Sequence, residues 1–190
     1  MNFSIRTADL SDIHWTEAIS ALYIDSAQAR GTGIATRSAA YIEEKIKKGN
    51  AVIALQKDEL AGFCYIETFS ADQYVSNSGL IVVPKFRGQG LAKKIKKIVF
   101  HHAREKYPKA RVFGITTSPV VMHINYELGY KPVSFKELTD DDEFWKGCSS
   151  CKNYDILLRN DHKLCLCTSM IAPSKEEKPI IDLSNLIIPK

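Results

Sequence analysis

The residues whose types and spacing most suggest chemistry lie between Leu80 and Ala92, in the run LIVVPKFRGQGLA. An apolar strand ends at Pro84, a turn carrying Gly88 and Gly90 follows, and a helix begins near Gly90. Such a helix start leaves backbone N–H groups without partners, and the peptide dipoles make the spot favourable for an anion. Glycine has no Cβ, so backbone and phosphate can approach closely. The expected guest is a phosphate or pyrophosphate. A nucleoside-triphosphate loop would need Gly-Lys-Ser/Thr, which is absent, and the glycine spacing does not fit a dinucleotide fingerprint. A bare G-x-G is equally compatible with a tight turn that binds nothing.

The fuller pattern, V-x-P-x-x-R-G-x-G-L-A, resembles the acyl-CoA pyrophosphate loop of the GNAT acyltransferase superfamily, its core being Arg87, Gly90 and Ala92. The resemblance covers about residues 1 to 135. It implies acetyl-CoA, or another short acyl-CoA, as co-substrate. The N–H groups of Gln89, Gly90, Leu91 and Ala92, with those near Arg87 and Gly88, would hold the pyrophosphate. The strand edge at Ile81, Val82 and Val83 would pair with the pantetheine amides. Lys93 or Lys94 would meet the 3′-phosphate, unless these lysines belong to a solvated helix face.

A second stretch, Ser118 to Tyr130 (SPVVMHINYELGY), resembles the family pattern N-x-x-A-x-x-x-Y-x-x-x-G-F. Asn125 stands where many members carry a Tyr assigned as the acid that reprotonates the CoA thiolate. Tyr126 is one residue later and about 100° around the helix, so it points elsewhere. Asn cannot act as an acid, but it can hydrogen-bond the CoA sulfur or pantetheine; the plainer alternative is a polar residue on a half-exposed face. Ser118, where the family often has Asn, would bond the cofactor or cap its helix.

Amide formation needs a neutral amine, so a base or water chain must remove a proton. A backbone N–H near Val82 would stabilise the oxyanion. Candidate bases are Glu67, Asp72, Tyr74 and His123; Glu67, late in a strand flanking the cleft, has a solvent-facing strand residue as its alternative. Arg6, Arg30 and Arg37 are candidates to meet a substrate carboxylate, because guanidinium binds it bidentately. The segment FWKGCSSCKNYDILLRN is similar to a branch of small bacterial GNAT proteins that includes suspected amino-acid acylators, and the resemblance implies an amino acid such as glutamate as acceptor. The implied function is transfer of an acetyl or short acyl group from CoA to a primary amine of a small molecule. The alternatives are a non-catalytic acyl-CoA-binding regulatory module and a protein or peptide N-acetyltransferase, whose acidic cleft would draw on Asp140 to Glu143.

The elements that must position these residues follow from periodicity and breakers. A strand covers Phe3 to Thr7, and Ser11 or Asp12 caps a helix to about Gln28 with Trp15, Ile19 and Leu22 inward. A second helix runs from about Thr36 to Lys48. Ala51 to Gln56 and Leu60 to Phe69 form a hairpin about Lys57–Asp58–Glu59, and a third strand covers Ser76 to Val83. The helix from Gly90 to Lys106 turns Leu91, Ile95, Ile98, Val99 and His102 to one side and its lysines mainly to the others. A strand at Arg111 to Thr116, a helix opened by Ser118–Pro119, and a strand at Lys131 to Phe135 follow. Asn153 to Arg159 and Leu164 to Ile171 read as a hairpin about Asn160–Asp161–His162. The fold class is α/β (α+β): a GNAT-like mixed, mostly antiparallel sheet flanked by helices, with a C-terminal hairpin extension. Residues 1–171 are expected to form one domain and 172–190 a tail.

Bulk properties narrow the partners. The formal charge is only +4 over 190 residues, with no concentrated basic face beside stacking aromatics, so nucleic acid is not expected. No signal peptide and no membrane span are expected. Five cysteines on an unexported chain read as reduced thiols in the cytoplasm. Cys148-x2-Cys151 with Cys165-x-Cys167 invites a zinc reading. In the expected hairpin, Cys151 would lie about 13 Å from its zinc partners, so structural thiols are favoured over metal. A homodimer is one arrangement open to the apolar tail at Ile180–Ile181 and Leu186–Ile188.

Overall fold

The computed structural model describes residues 2–31 and 33–177; the tail residues just named lie outside that range. One sheet contains seven strands: β1 (Ser4–Thr7), β2 (Ala51–Gln56), β3 (Glu59–Phe69), β4 (Tyr74–Val82), β5 (Arg111–Thr116), β6 (Lys131–Pro132) and β7 (Thr168–Ala172). Their order is β1-β2-β3-β4-β5-β7-β6, and every neighbouring pair is antiparallel except β4 and β5. The helices are α1 (Thr16–Arg30), α2 (Ala39–Lys47), α3 (Leu91–Lys106), α4 (Pro119–Glu127), α5 (Asp142–Lys146) and α6 (Tyr154–Arg159). The mixed, mostly antiparallel sheet flanked by helices is the one expected from the sequence.

Two apolar layers hold the helices to the sheet. On one face Leu91, Ile95, Val99 and Ala103 of α3, at successive i+4 positions, pack on Val52, Ala54, Cys64 and Val75. On the other, Ile19 and Tyr23 of α1 and Ile42 and Ile46 of α2 pack on Ile53, Phe63 and Tyr65. Burying each large aliphatic side chain contributes about 1.5–3 kcal/mol, so β2 to β4, covered on both faces, form the firm part of the molecule.

Two irregularities in β4 shape the site. β4 pairs with β5 only from Tyr74 to Ser76, opposite Arg111 to Phe113. Beyond Asn77 the two strands part and leave a fork. On the opposite edge, Phe63 faces Ile81 while Tyr65 faces Ser78. Gly79 and Leu80 therefore oppose Cys64 alone, a bulge that bends the strand. Gly79 has φ +66°, and a Cβ there would lie 2.2 Å from a Tyr65 ring carbon. Only glycine fits this turn of the strand.

Four expectations are corrected. The cap of the first helical segment is Asp9, reciprocally bonded with Asp12 in a capping box that opens a 3-10 turn from Leu10 to Trp15. The inward face of α1 is led by Ile19 and Tyr23 rather than Leu22. The strand from Lys131 stops at Pro132, because Ser134 and Glu137 form a capping box over a short 3-10 turn. The C-terminal hairpin is absent. Its first arm is the helix α6, with Asp155 in the first turn and Arg159 in the last, and Leu157 buried; its second arm is a strand only from Thr168 and pairs with β5.

Candidate active site

A groove of about 500 Å³ runs past the glycine-bearing turn, and a cleft of about 420 Å³ lies in the fork between β4 and β5. They meet at Leu80, Ser118 and Val121, which line both. The fork thus joins the glycine-bearing turn to a polar chamber.

The groove is built by main chain. Gly88 (φ +75°) and Gly90 (φ +71°) turn the chain into α3, and a Cβ on either would meet no atom within 4 Å. Lys94 is the first residue of α3 whose N–H finds a helical acceptor, Gly90 O at 3.2 Å. Among the described residues no acceptor engages the N–H groups of Gly88 through Lys93. The N–H of Arg87 is not part of this row, since it donates to Pro84 O at 3.2 Å. The Arg87 guanidinium instead fixes the strand end by donating to Val82 O at 3.1 Å.

Of the residues expected around the cofactor, Ile81, Val82, Arg87, Gly88, Gly90, Leu91, Ala92, Lys93 and Ser118 line this groove. Val83 and Gln89 do not. Val83 N–H donates to Ala61 O at 3.0 Å, and the Gln89 amide reaches Lys85 O at 3.5 Å. Lys93 is paired with Glu127 of α4 at 2.8 Å in an exposed ion pair, the kind that contributes little to stability. Lys94 has no ion pair among the described residues. Ser118 caps α4, its Oγ accepting from Val121 N–H at 3.4 Å.

The chamber is built by side chains. Arg37, ahead of α2, donates from Nε to the Tyr65 hydroxyl at 2.8 Å and from a terminal nitrogen to Thr36 O at 2.8 Å. Among the described residues no carboxylate pairs with it. Glu67 lines the cleft. Its carboxylate is held by the Lys45 ammonium and by the Tyr41 hydroxyl at 2.5 Å. Burial is the leading cause that drives the Tyr41 hydroxyl far above its ordinary value, so it donates to Glu67 throughout the neutral range. As a base, Glu67 would have to act from within that ion pair.

Asn125 is not on a half-exposed face. It is 1% exposed, lines the cleft, and its Oδ1 has no hydrogen-bond partner; its Nδ2 lies 3.8 Å from Met170 Sδ. A buried unsatisfied acceptor costs about 1–3 kcal/mol, so the Asn125 amide is a polar group in the cleft wall whose oxygen the fold leaves without a partner. Tyr126 is 69% exposed and lines neither cavity.

The other base candidates lie elsewhere. Asp72 is exposed in the turn before β4, and His123 is exposed on α4 beside Glu127. Tyr74 packs against Phe113 at the closed end of the fork. Arg6 is spent on a bidentate pair with Asp12 at 2.6 and 2.8 Å. Arg30 is exposed at the rim of both cavities. The acidic run is structural in part: Asp141 caps α5 and accepts from Ser70 N–H, while Glu143 pairs with Lys146. Sequence reasoning missed Lys45, Tyr41, Tyr65 and Lys96. Only Lys96 carried a signal, because it shares a helix face with Phe100 and Ala103.

The cysteine argument is corrected with the hairpin. Because residues 154–159 are helical, Cys148, Cys151 and Cys167 all come to line the cleft. Burial, with a smaller contribution from the neighbouring thiols, pushes the Cys148 thiol to about 11 and Cys167 to about 12. Among the described residues no group of three or more His, Cys, Asp or Glu is disposed to hold a metal. No helix among them is long and apolar enough to cross a membrane.

Comparison with known proteins adds the following. The family model described as an acetyltransferase (GNAT) domain matches residues 36–142. No curated protein is detectably similar in sequence. An N-acetylglutamate synthase from Neisseria gonorrhoeae, solved with coenzyme A and N-acetyl-glutamate, superposes at TM-score 0.65 and 20% identity over 92% of this chain; the match spans 35% of that protein. A phosphinothricin acetyltransferase from Sinorhizobium meliloti in complex with acetyl-CoA gives 0.62 at 17% identity, over 97% of both chains. A GNAT-family acetyltransferase from Bacillus cereus gives 0.56 at 14%, over 92% of this chain and 99% of its own.

Proposed function

Because this chain belongs to the GNAT acetyltransferase family, we propose that it moves an acetyl or other short acyl group from CoA to the primary amine of a small carboxylate-bearing molecule, an amino acid such as glutamate. The observation that carries this reading is the row of unengaged amides from Gly88 to Lys93, opening into a groove that meets a polar chamber at Leu80, Ser118 and Val121. The residues present fit acyl-CoA: free N–H groups suit a pyrophosphate, and the edge at Ile81 and Val82 suits an extended pantetheine. When bound, the thioester supplies an activated acyl carbon with a good leaving group.

The chain's own residues do the rest. Gly88 to Lys93 hold the anionic end by main-chain hydrogen bonds. Asn125 and Ser118 steady the polar groups that reach the fork, Asn125 offering the acceptor that the fold leaves open. Arg37, a half-buried cation without a carboxylate partner, receives the carboxylate of the acceptor amine. The structural likeness to a synthase that binds N-acetyl-glutamate supports an amino-acid acceptor. The catalytic domain runs through β7 to Glu177, since Ala172 closes that strand and Glu177 pairs with Arg111, and unbridged thiols fit a cytoplasmic setting.

The test is release of free thiol from acetyl-CoA and succinyl-CoA with each amino acid, with its decarboxylated amine, and with peptides carrying a free N-terminus. We expect an amino acid to be acylated at least tenfold faster than its decarboxylated partner. Saturable CoA binding without turnover on any amine would overturn the proposal in favour of a binding module, which the Asn at position 125 otherwise suits.

A further inference from the structure

We propose that Lys96 is the proton-transfer residue of this site: its amino group takes the proton released by the attacking amine and passes it to the departing CoA sulfur. Lys96 lies on α3 but faces inward, 2% exposed, and lines the cleft together with Asn125 and Gly79. Its Nζ donates to the main-chain carbonyl of Asn77 at 3.4 Å. That carbonyl stands at the point where β4 loses β5, so the lysine is fixed at the apex of the fork.

The surroundings lack the group that would hold an ammonium there. Among the described residues Lys96 has no ion pair. The titratable groups around it are the Cys64 thiol on β3 and, one hydrogen bond further, the Tyr130 hydroxyl after α4, which accepts from Asn77 Nδ2 at 3.4 Å. Burial keeps both neutral, raising Cys64 to about 11 and Tyr130 far above its usual range. Across the cleft, Glu67 is already neutralised by Lys45, and Arg37 is itself a cation. A charged amine in this position is disfavoured by desolvation, and the same desolvation lowers the proton affinity of Lys96. Neutral, it carries the lone pair a base needs; protonated, it is an acid at the fork where Asn125 cannot serve as one.

The step balances without further reagents. The neutral amine attacks the thioester carbon, the C–N bond forms and the C–S bond breaks. One proton leaves nitrogen for Lys96 and goes from Lys96 to the thiolate, giving amide and free thiol. This inference rests on the proposed acyl transfer, but its first test does not. Lysine side chains labelled with 13C at Cε are titrated by NMR with CoA bound and no acceptor present. Lys96, assigned by its loss in Lys96→Gln, is expected to titrate below the ordinary lysine value. Titration at an ordinary lysine value overturns the proposal, whatever the acceptor proves to be.

With an acceptor in hand, Lys96→Gln keeps an N–H donor on the same side chain, one atom shorter, yet cannot carry a proton. It should bind CoA with unchanged Kd and lose about 100-fold in kcat with little change in the acceptor KM, and the acidic limb of the pH–rate profile, the loss of rate as Lys96 becomes protonated, should vanish. A capping role alone would leave kcat and the profile as in wild type, which also overturns the proposal. Lys96→Arg, folded by the criteria of thermal melting and CoA binding, keeps the hydrogen bond and a permanent charge, and should be equally slow.

Discussion

Arg37, half-buried, and Lys96, fully buried, are basic side chains with no carboxylate partner among the described residues, and they do opposite things with that condition. Arg37 cannot shed its proton, so its charge waits for an anion from outside. A hydrogen bond to a charged group contributes about 1.5–3 kcal/mol. Arg37→Gln should therefore raise the KM of a carboxylate-bearing acceptor by about 10- to 100-fold while leaving the Kd for acetyl-CoA unchanged, as read by steady-state kinetics and calorimetry. Equal losses with the decarboxylated amine would contradict the assignment. Lys96 can shed its proton, and stability should register it. Its folded-state value is lowered by burial. Between that value and the ordinary lysine value the unfolded chain holds a proton the folded chain lacks, so stability rises with pH across that window, by up to about 1.4 kcal/mol per unit. Below the window the full cost of burying the charge is present. Lys96→Met removes this dependence, so its stability relative to wild type should be greatest in acid and fall as pH rises; parallel denaturation curves would refute this. The sequence made Arg87 and Gly90 legible because their work is done by backbone. Lys96 was hidden because a lysine among lysines reads as solvent-facing, and only its offset to Phe100 and Ala103 betrays it. Asn125 was located by motif, but its burial and its open acceptor depend on Met170 of a distant strand.

At the scale of elements, the bulged β4 and the turn into α3 both use glycines at positive φ, for different reasons. Gly79 is hemmed in: an added Cβ would sit 2.2 Å from the Tyr65 ring and 2.6 Å from the Tyr23 hydroxyl. Gly90 faces open space. Gly79→Ala should therefore cost well over the roughly 1–2 kcal/mol of a left-handed non-glycine residue, because backbone strain and clash add. Gly90→Val should cost only about the strain, leave a normal fold by circular dichroism, and weaken acetyl-CoA binding at least tenfold because its side chain stands where phosphate must approach. Undiminished affinity in Gly90→Val would remove the loop from the site. The elements around these glycines were readable, since strands 51–56 and 111–116 and the long helix have clean periodicity. The C-terminal third was not. Ile156 to Leu158, behind Tyr154, is an apolar run too short to show either period, and whether it becomes strand or helix is decided by β5 pairing with residues 168–172 instead.

For the molecule as a whole, the consequence of placing the cleft inside a continuous sheet is that ligand and fold are coupled. The fork is bounded by β4 on one side and by β5 and β7 on the other, and α3, which starts at the glycine-bearing turn, packs across β2 to β5. No part of the site can form unless both halves of the sheet are in place. Acetyl-CoA should therefore stabilise the chain as one unit rather than a sub-region. At a hundredfold excess over its Kd, ligand bound only to the folded state adds about 2.7 kcal/mol. For a chain of this size that is a rise in Tm of about 5–11 °C. Scanning calorimetry should show a single transition that moves as a whole with acetyl-CoA concentration. Two transitions, of which only one moves, would mean that β5, β7 and the helices after them unfold independently of β1 to β4, and that the fork is a seam between two folding units instead of a cleft within one.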